Sequence, residues 1–195
     1  MTRSKKLPKI LTKEEQKKLL DIFNTRYPTQ LRNKTMIKLM LDTGIRLSEI
    51  VNLKWKNINL INGKIEIIEG KGAKDRILWV NEKTLEELKK WKEVQTKETQ
   101  KRNINKFPKY VFTTLKGKKI IGSNIRNMLY KYSQKAGIKR ISPHTLRHTF
   151  ATELYRNTKN IRLVQKALGH SELSTTMIYT HIVDDELENA MKKMR

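Results

Sequence analysis

Apolar residues recur at every third or fourth position over most of this chain, and at every second position over little of it. Ile10, Leu19, Leu20 and Phe23 keep helical spacing, and Thr12 with Glu15 has the spacing of a capping box. A helix is expected over about 12–25. A second is expected over about 30–42, with Leu31, Met36, Ile37, Met40 and Leu41 as its apolar set, broken at Gly44. A short helix over 47–53 follows, with Leu47, Ile50 and Val51 facing inward. The pattern then changes. KIEIIE (64–69) and RILWV (76–80) are rich in branched residues and flank a connection with two glycines, which predicts an antiparallel hairpin. Helical spacing returns over 82–98 (Leu85, Leu88, Trp91) and 123–136 (Ile125, Met128, Leu129, Tyr132). The polar stretch 99–109 reads as a loop, and Tyr110-Val111-Phe112 as a short strand at most.

Ser142 suits an N-cap and Pro143 a first helical position, so another helix opens there. It carries His144 and Arg147 in its first two turns, on one face. An anion at that positive helix end would meet both side chains. A helix over about 159–168 ends at Gly169, a suitable C-cap. A short helix over 175–181, capped by Ser174, carries Tyr179, and a terminal helix spans 185–194. No repeat or linker divides the chain. One compact domain over 1–195 is expected, mainly α with a small antiparallel β-sheet (α+β), its residues 1–10 forming a mobile basic arm.

Charge narrows the partner. The 195 residues include 43 Lys and Arg against 19 Asp and Glu, a formal net charge of +24 spread along the whole chain. That excess points to a polyanion, and to nucleic acid first. No long basic amphipathic helix suggests a membrane surface, no apolar run reaches a membrane span, and the N-terminus lacks the apolar core of a secretory signal. Cysteine is absent, and the four histidines show no metal-ligand spacing with the carboxylates, so neither a metal nor another cofactor is expected.

Taken singly, Arg46, Lys71, His144, Arg147, His170 and Tyr179 each have an ordinary reading as an ion-pair, turn, capping or core residue. Taken in order and in context they do not. TGIRLSEI around Arg46, EGKGAKDR around Lys71, SPHTLRHTFAT around His144 and Arg147, and ALGHSELSTTMIYTH around His170 and Tyr179 together resemble the tyrosine recombinase/phage integrase family, in its Xer-like branch. The resemblance covers about 10–182 and implies that family's catalytic-domain fold.

It also implies a chemistry. Tyr179 would attack a scissile phosphate of double-stranded DNA, form a 3′-phosphotyrosyl link and release a 5′-hydroxyl. The link keeps the phosphodiester energy, so neither ATP nor metal is required. Arg46 and Arg147 would hold the non-bridging oxygens, with planar forks suited to that task. His170 would add a hydrogen bond. Lys71 would protonate the leaving oxygen, with Lys74 as its competitor. His144 would take the tyrosine proton. The resemblance leaves His148 a structural role, makes His181 a nearby supporting group, and lets Glu49 orient Arg46.

Family members usually carry an N-terminal helical DNA-binding domain. Only about ten residues precede the first helix here, so that domain is expected to be absent. Self-assembly on DNA, as a tetramer in the synaptic complex, is implied. The segment 184–195 resembles a terminal helix exchanged between protomers. A cytoplasmic, DNA-associated location is expected. Two other functions stay open: DNA relaxation in the manner of a type IB topoisomerase, and non-catalytic DNA binding on the same scaffold.

Overall fold

A computed structural model describes residues 8–68, 75–104 and 107–192. Helices dominate: α1 (Lys13–Asp21), α2 (Pro28–Thr43), α3 (Leu47–Asn52), then β1 (Lys64–Ile67) and β2 (Arg76–Trp79), then α4 (Glu82–Lys101), α5 (Gly122–Lys135), α6 (Pro143–Thr158), α7 (Ile161–Leu168) and α8 (Ile178–Lys192). Among the described residues the sheet is this two-stranded antiparallel pair, running from Lys64 opposite Trp79 to Ile67 opposite Arg76. The mainly helical expectation with a small antiparallel sheet therefore holds.

Local chemistry explains the helix ends. The Thr12–Glu15 capping box opens α1 as expected. Pro28 is the first residue of α2 and does more than stop the helix before it. α2 closes on Gly44 at φ +61°, where a Cβ would overlap the Phe150 ring. Ser142 and Thr145 cap each other at the start of α6. α7 ends on Gly169, again left-handed.

α2 runs through the centre and packs against both α4 and α6. Nine of its sixteen residues are buried, Asn33, Thr35 and Thr43 among them, so burial extends beyond one apolar stripe. The main core gathers Met36, Ile37, Leu39 and Met40 with Leu88, Trp91, Phe112, Ile125, Leu129 and Leu146. A smaller core lies between α6, α7 and α8: Ala151, Val164, Leu168, Tyr179 and Ile182. The predicted nucleophile is thus part of a packed cluster.

Three expectations need correction. The helices expected over 175–181 and 185–194 are one continuous helix, α8, preceded by a 3-10 turn at Leu173–Thr175. Helix α4 runs on to Lys101, into the stretch expected to be a loop, because Gln95 and Thr99 are buried and give it a polar but inward-facing last two turns. The basic arm does not extend to residue 10. The Lys9 ammonium donates to the Arg140 carbonyl at 2.7 Å, the Leu11 amide donates to Thr149 Oγ1 at 2.9 Å, and Ile10 packs on the smaller core.

Candidate active site

The two arginines expected to grip phosphate meet at the C-terminal end of α7. Arg46 precedes α3, and its backbone N–H and Nη1 both donate to Glu49, at 2.7 and 2.9 Å. Its Nη2 donates to the Gly169 carbonyl at 2.7 Å. Arg147, from the second turn of α6, reaches across the junction: Nη1 to the Gly44 carbonyl at 2.5 Å and Nη2 to the Leu168 carbonyl at 2.7 Å. The last carbonyls of a helix lack intrahelical partners and carry partial negative charge, so they suit guanidinium donors. Burial pulls Arg147 down to about 10, with Arg46 adding to the shift and Glu49 opposing it. Arg147 therefore stays charged at neutral pH.

His170 follows Gly169 directly and joins this cluster. Arg147 Nη2 lies 3.1 Å from His170 Nε2, and His170 Nδ1 lies 3.0 Å from Thr176 Oγ1. A guanidinium only donates, so Nε2 accepts and the ring proton sits on Nδ1. Burial, then Arg147, Arg46, Arg76 and His148, pull His170 down to about 4, so it is neutral at pH 7. The expectation that it donates toward a phosphate requires that Nε2 first take up a proton. An anion beside Nε2 would favour the change, because it offsets the surrounding positive charge.

Tyr179 sits in the first turn of α8 and is 1% exposed. Its hydroxyl lies 3.0 Å from Nδ1 of His148, not of His144. Burial pushes the hydroxyl above the usual phenol range, and Arg147 only partly opposes that. This resting arrangement therefore keeps the phenol protonated. Burial, His144 and Arg147 in turn pull His148 down to about 4. A neutral imidazole and a neutral phenol therefore face each other. His144 stands exposed one turn earlier, with its ring centre 6.5 Å from that of His148. Among the described residues His144 makes no hydrogen bond to Tyr179. The expected anion site at the start of α6 does not form as a His144–Arg147 pair, since Arg147 is buried and the Thr145 amide is taken by Ser142.

Arg46, Arg147, His170 and Tyr179 are thus brought together around the end of α7, with His144 at the rim. Lys71 and Lys74 lie outside the described residues, as does the His181 side chain. Glu49 orients Arg46 as expected, and does more. It also receives both terminal nitrogens of Arg76, at 2.8 and 2.7 Å. Sequence reasoning passed over Arg76, and it gave His148 a structural role without its contact to the Tyr179 hydroxyl. Arg76 hides in a strand whose next four residues, Ile77 to Val80, are all apolar, so no alternation marks it as inward-facing. His148 adjoins Arg147 and shares its local pattern, yet only the path of α8 shows which imidazole meets the tyrosine.

The Phage integrase family model matches residues 9–186. Tyrosine recombinase XerA of Thermococcus kodakarensis is 36% identical over 192 residues, which is 97% of this chain and 64% of that protein. Tyrosine recombinase XerD of Staphylococcus aureus is 36% identical over 184 residues, 94% of this chain and 61% of that one. The chain thus spans under two thirds of the length of these curated relatives. Among solved structures, XerA recombinase superposes with a TM-score of 0.81 at 31% identity, over 98% of this chain and 66% of that one. XerH site-specific recombinase, bound to palindromic difH substrate in a post-cleavage complex, gives 0.78 at 34% identity, over 95% and 53%. The catalytic domain of bacteriophage HP1 integrase shares the fold, with a TM-score of 0.63 over 95% of this chain and 94% of that domain.

Proposed function

The chain belongs to the phage integrase family, and from that premise we propose that it cleaves and rejoins strands of double-stranded DNA through a covalent phosphotyrosine at Tyr179. The single observation that carries this reading is the convergence of Arg46, Arg147 and His170 on the end of α7, with the Tyr179 hydroxyl beside Arg147's own helix.

The scissile phosphate would lie against Arg46 and Arg147. Charge grows on its non-bridging oxygens during attack, and fixed guanidinium forks stabilise that growth without reorganising. Tyr179 must first leave its buried position, since no phosphate reaches a hydroxyl that is 1% exposed. His148 holds the hydroxyl until then. Movement outward carries it toward the exposed His144, to which we assign the proton. A phosphate beside His170 raises its basicity, so that Nε2 gains a proton and donates. Lys71 is assigned the protonation of the departing 5′-oxygen from its place in the sequence pattern. Attack by a 5′-hydroxyl of a partner strand reverses these steps and reseals the backbone. XerH's post-cleavage complex with difH supports double-stranded DNA as the substrate, and self-assembly on that DNA, as a tetramer, belongs to the same reading.

The test is incubation of wild type and Tyr179→Phe with a nicked DNA substrate that traps cleavage. Wild type yields an SDS-resistant protein–DNA adduct and Tyr179→Phe does not. DNA binding without an adduct from wild type contradicts the reading. An adduct with plasmid relaxation but no exchange between two sites favours a topoisomerase.

A further inference from the structure

Arg76 occupies a position that strand patterning reserves for an apolar residue. It opens β2, and Arg76 and Leu78 face the interior while Ile77 and Trp79 face out. Its side chain is 5% exposed and pairs with a Glu49 side chain that is 7% exposed. An ion pair buried this deeply is poor evidence of stabilisation, because desolvating two charges offsets their attraction and an apolar replacement is often as stable. The geometry supplies another reason for an arginine here.

Its three donor nitrogens are divided between two parts of the site. Nη1 and Nη2 clasp Glu49, the same carboxylate that receives the Arg46 amide and Nη1. Nε donates to the Ala167 carbonyl at 2.9 Å. The last carbonyls of α7 are thereby shared out in order: Ala167 to Arg76, Leu168 to Arg147, Gly169 to Arg46. The turn before His170 rests on the Arg76 stem, where a Cβ at Gly169 would come within 3.1 Å of Arg76 Cδ. In sequence, Arg76 also stands five residues after Lys71, in the strand pair next to the connection between β1 and β2.

We infer that Arg76 is a positioning residue for DNA cleavage: it locks the Glu49 carboxylate that aims Arg46 and fixes the α7–His170 turn in the same frame. This rests on the strand-cleavage reading above. With its guanidinium held by Glu49 and the Ala167 carbonyl, Arg76 is assigned to act through Arg46 and His170. Displacing a phosphate-gripping group by about an ångström costs on the order of 100-fold in rate.

The experiment compares Arg76→Lys, Arg76→Met, Arg46→Ala and wild type on two nicked DNAs. One has an ordinary scissile phosphodiester. The other has a methylphosphonate there, whose methyl replaces a charged non-bridging oxygen and so lowers the demand for a well-aimed cation. Adduct formation by Arg76→Met falls about 10- to 100-fold on the phosphodiester, and the deficit shrinks several-fold on the methylphosphonate, as it does for Arg46→Ala. Arg76→Lys, which keeps the charge and the stem but not the fork, falls between Arg76→Met and wild type. The ratio between the two substrates does not depend on how much of a variant is folded. An equal deficit on both DNAs marks Arg76 as structural only and overturns the inference, as do wild-type rates in both Arg76 variants. Absence of any adduct from wild type overturns the cleavage reading itself.

Discussion

His148 and His170 show how one fold keeps imidazoles neutral beside arginines. Both are pulled down to about 4, against about 6.5 for a free histidine. Between those values the unfolded chain binds the extra protons. Stability is therefore complete above pH 6.5 and is lost as pH falls toward 4. Both rings are partly exposed, so solvent screening reduces the loss to about 1 kcal/mol for each. Urea unfolding at pH 7.5 and pH 4.5 measures it, and His148→Gln and His170→Gln each flatten the pH dependence relative to wild type. The two imidazoles near Tyr179 also separate by function. His144→Gln slows adduct formation by about 10²- to 10⁴-fold, the usual loss on removing a general base. His148→Gln costs much less, because it removes only the contact that holds the resting hydroxyl. The reverse order in single-turnover kinetics makes His148 the base.

At the scale of elements, the site depends on where helices stop. Gly44 and Gly169 end α2 and α7 in left-handed conformations, and the carbonyls they leave exposed, Gly44, Leu168 and Gly169, are arginine acceptors. Gly44→Ala meets the Phe150 ring as well as an unfavourable φ and destabilises by about 1–3 kcal/mol. Urea unfolding checks this, and a midpoint unchanged from wild type refutes it. Such stops were legible in the sequence: Gly44, Gly169 and the Ser142-Pro143 start all fall where propensity puts them. So were the hairpin, from its branched runs and glycines, and α2, from its apolar set ahead of Gly44. The union of the last two predicted helices into α8 was not, because Ile182 at 5% exposure bridges a stretch whose local signals suggest a break. Among the site residues, Arg46, Arg147, His170 and Tyr179 could be listed from the sequence, but their partners could not. A hydrogen bond between residues 31 apart, such as His148 to Tyr179, has no local signature. Nor does the triple use of the α7 carbonyls, which depends on the packing of α7 against β2 and α6.

The whole molecule carries a net charge of +24. Binding to double-stranded DNA is expected to release counterions, and an interface with about 6–10 phosphate contacts weakens roughly 10³- to 10⁵-fold between 50 and 200 mM salt. Fluorescence anisotropy across that range tests this, and a nearly flat dependence contradicts it. Because phosphate contacts position without reading sequence, this charge sets affinity more than site choice. Assembly is a separate matter. Deleting residues 184–195, the last part of the chain from within α8 onward, is expected to weaken multimer formation on DNA in native gels; unchanged assembly refutes an exchanged C-terminal segment. Strand cleavage itself rests on one covalent bond. The most direct measurement is mass spectrometry of the protease-digested adduct formed on a trapping substrate. A single modified peptide is expected, with Tyr179 joined to the 3′-phosphate of the cleaved strand. Modification at any other residue, or a link to the 5′ end, contradicts it.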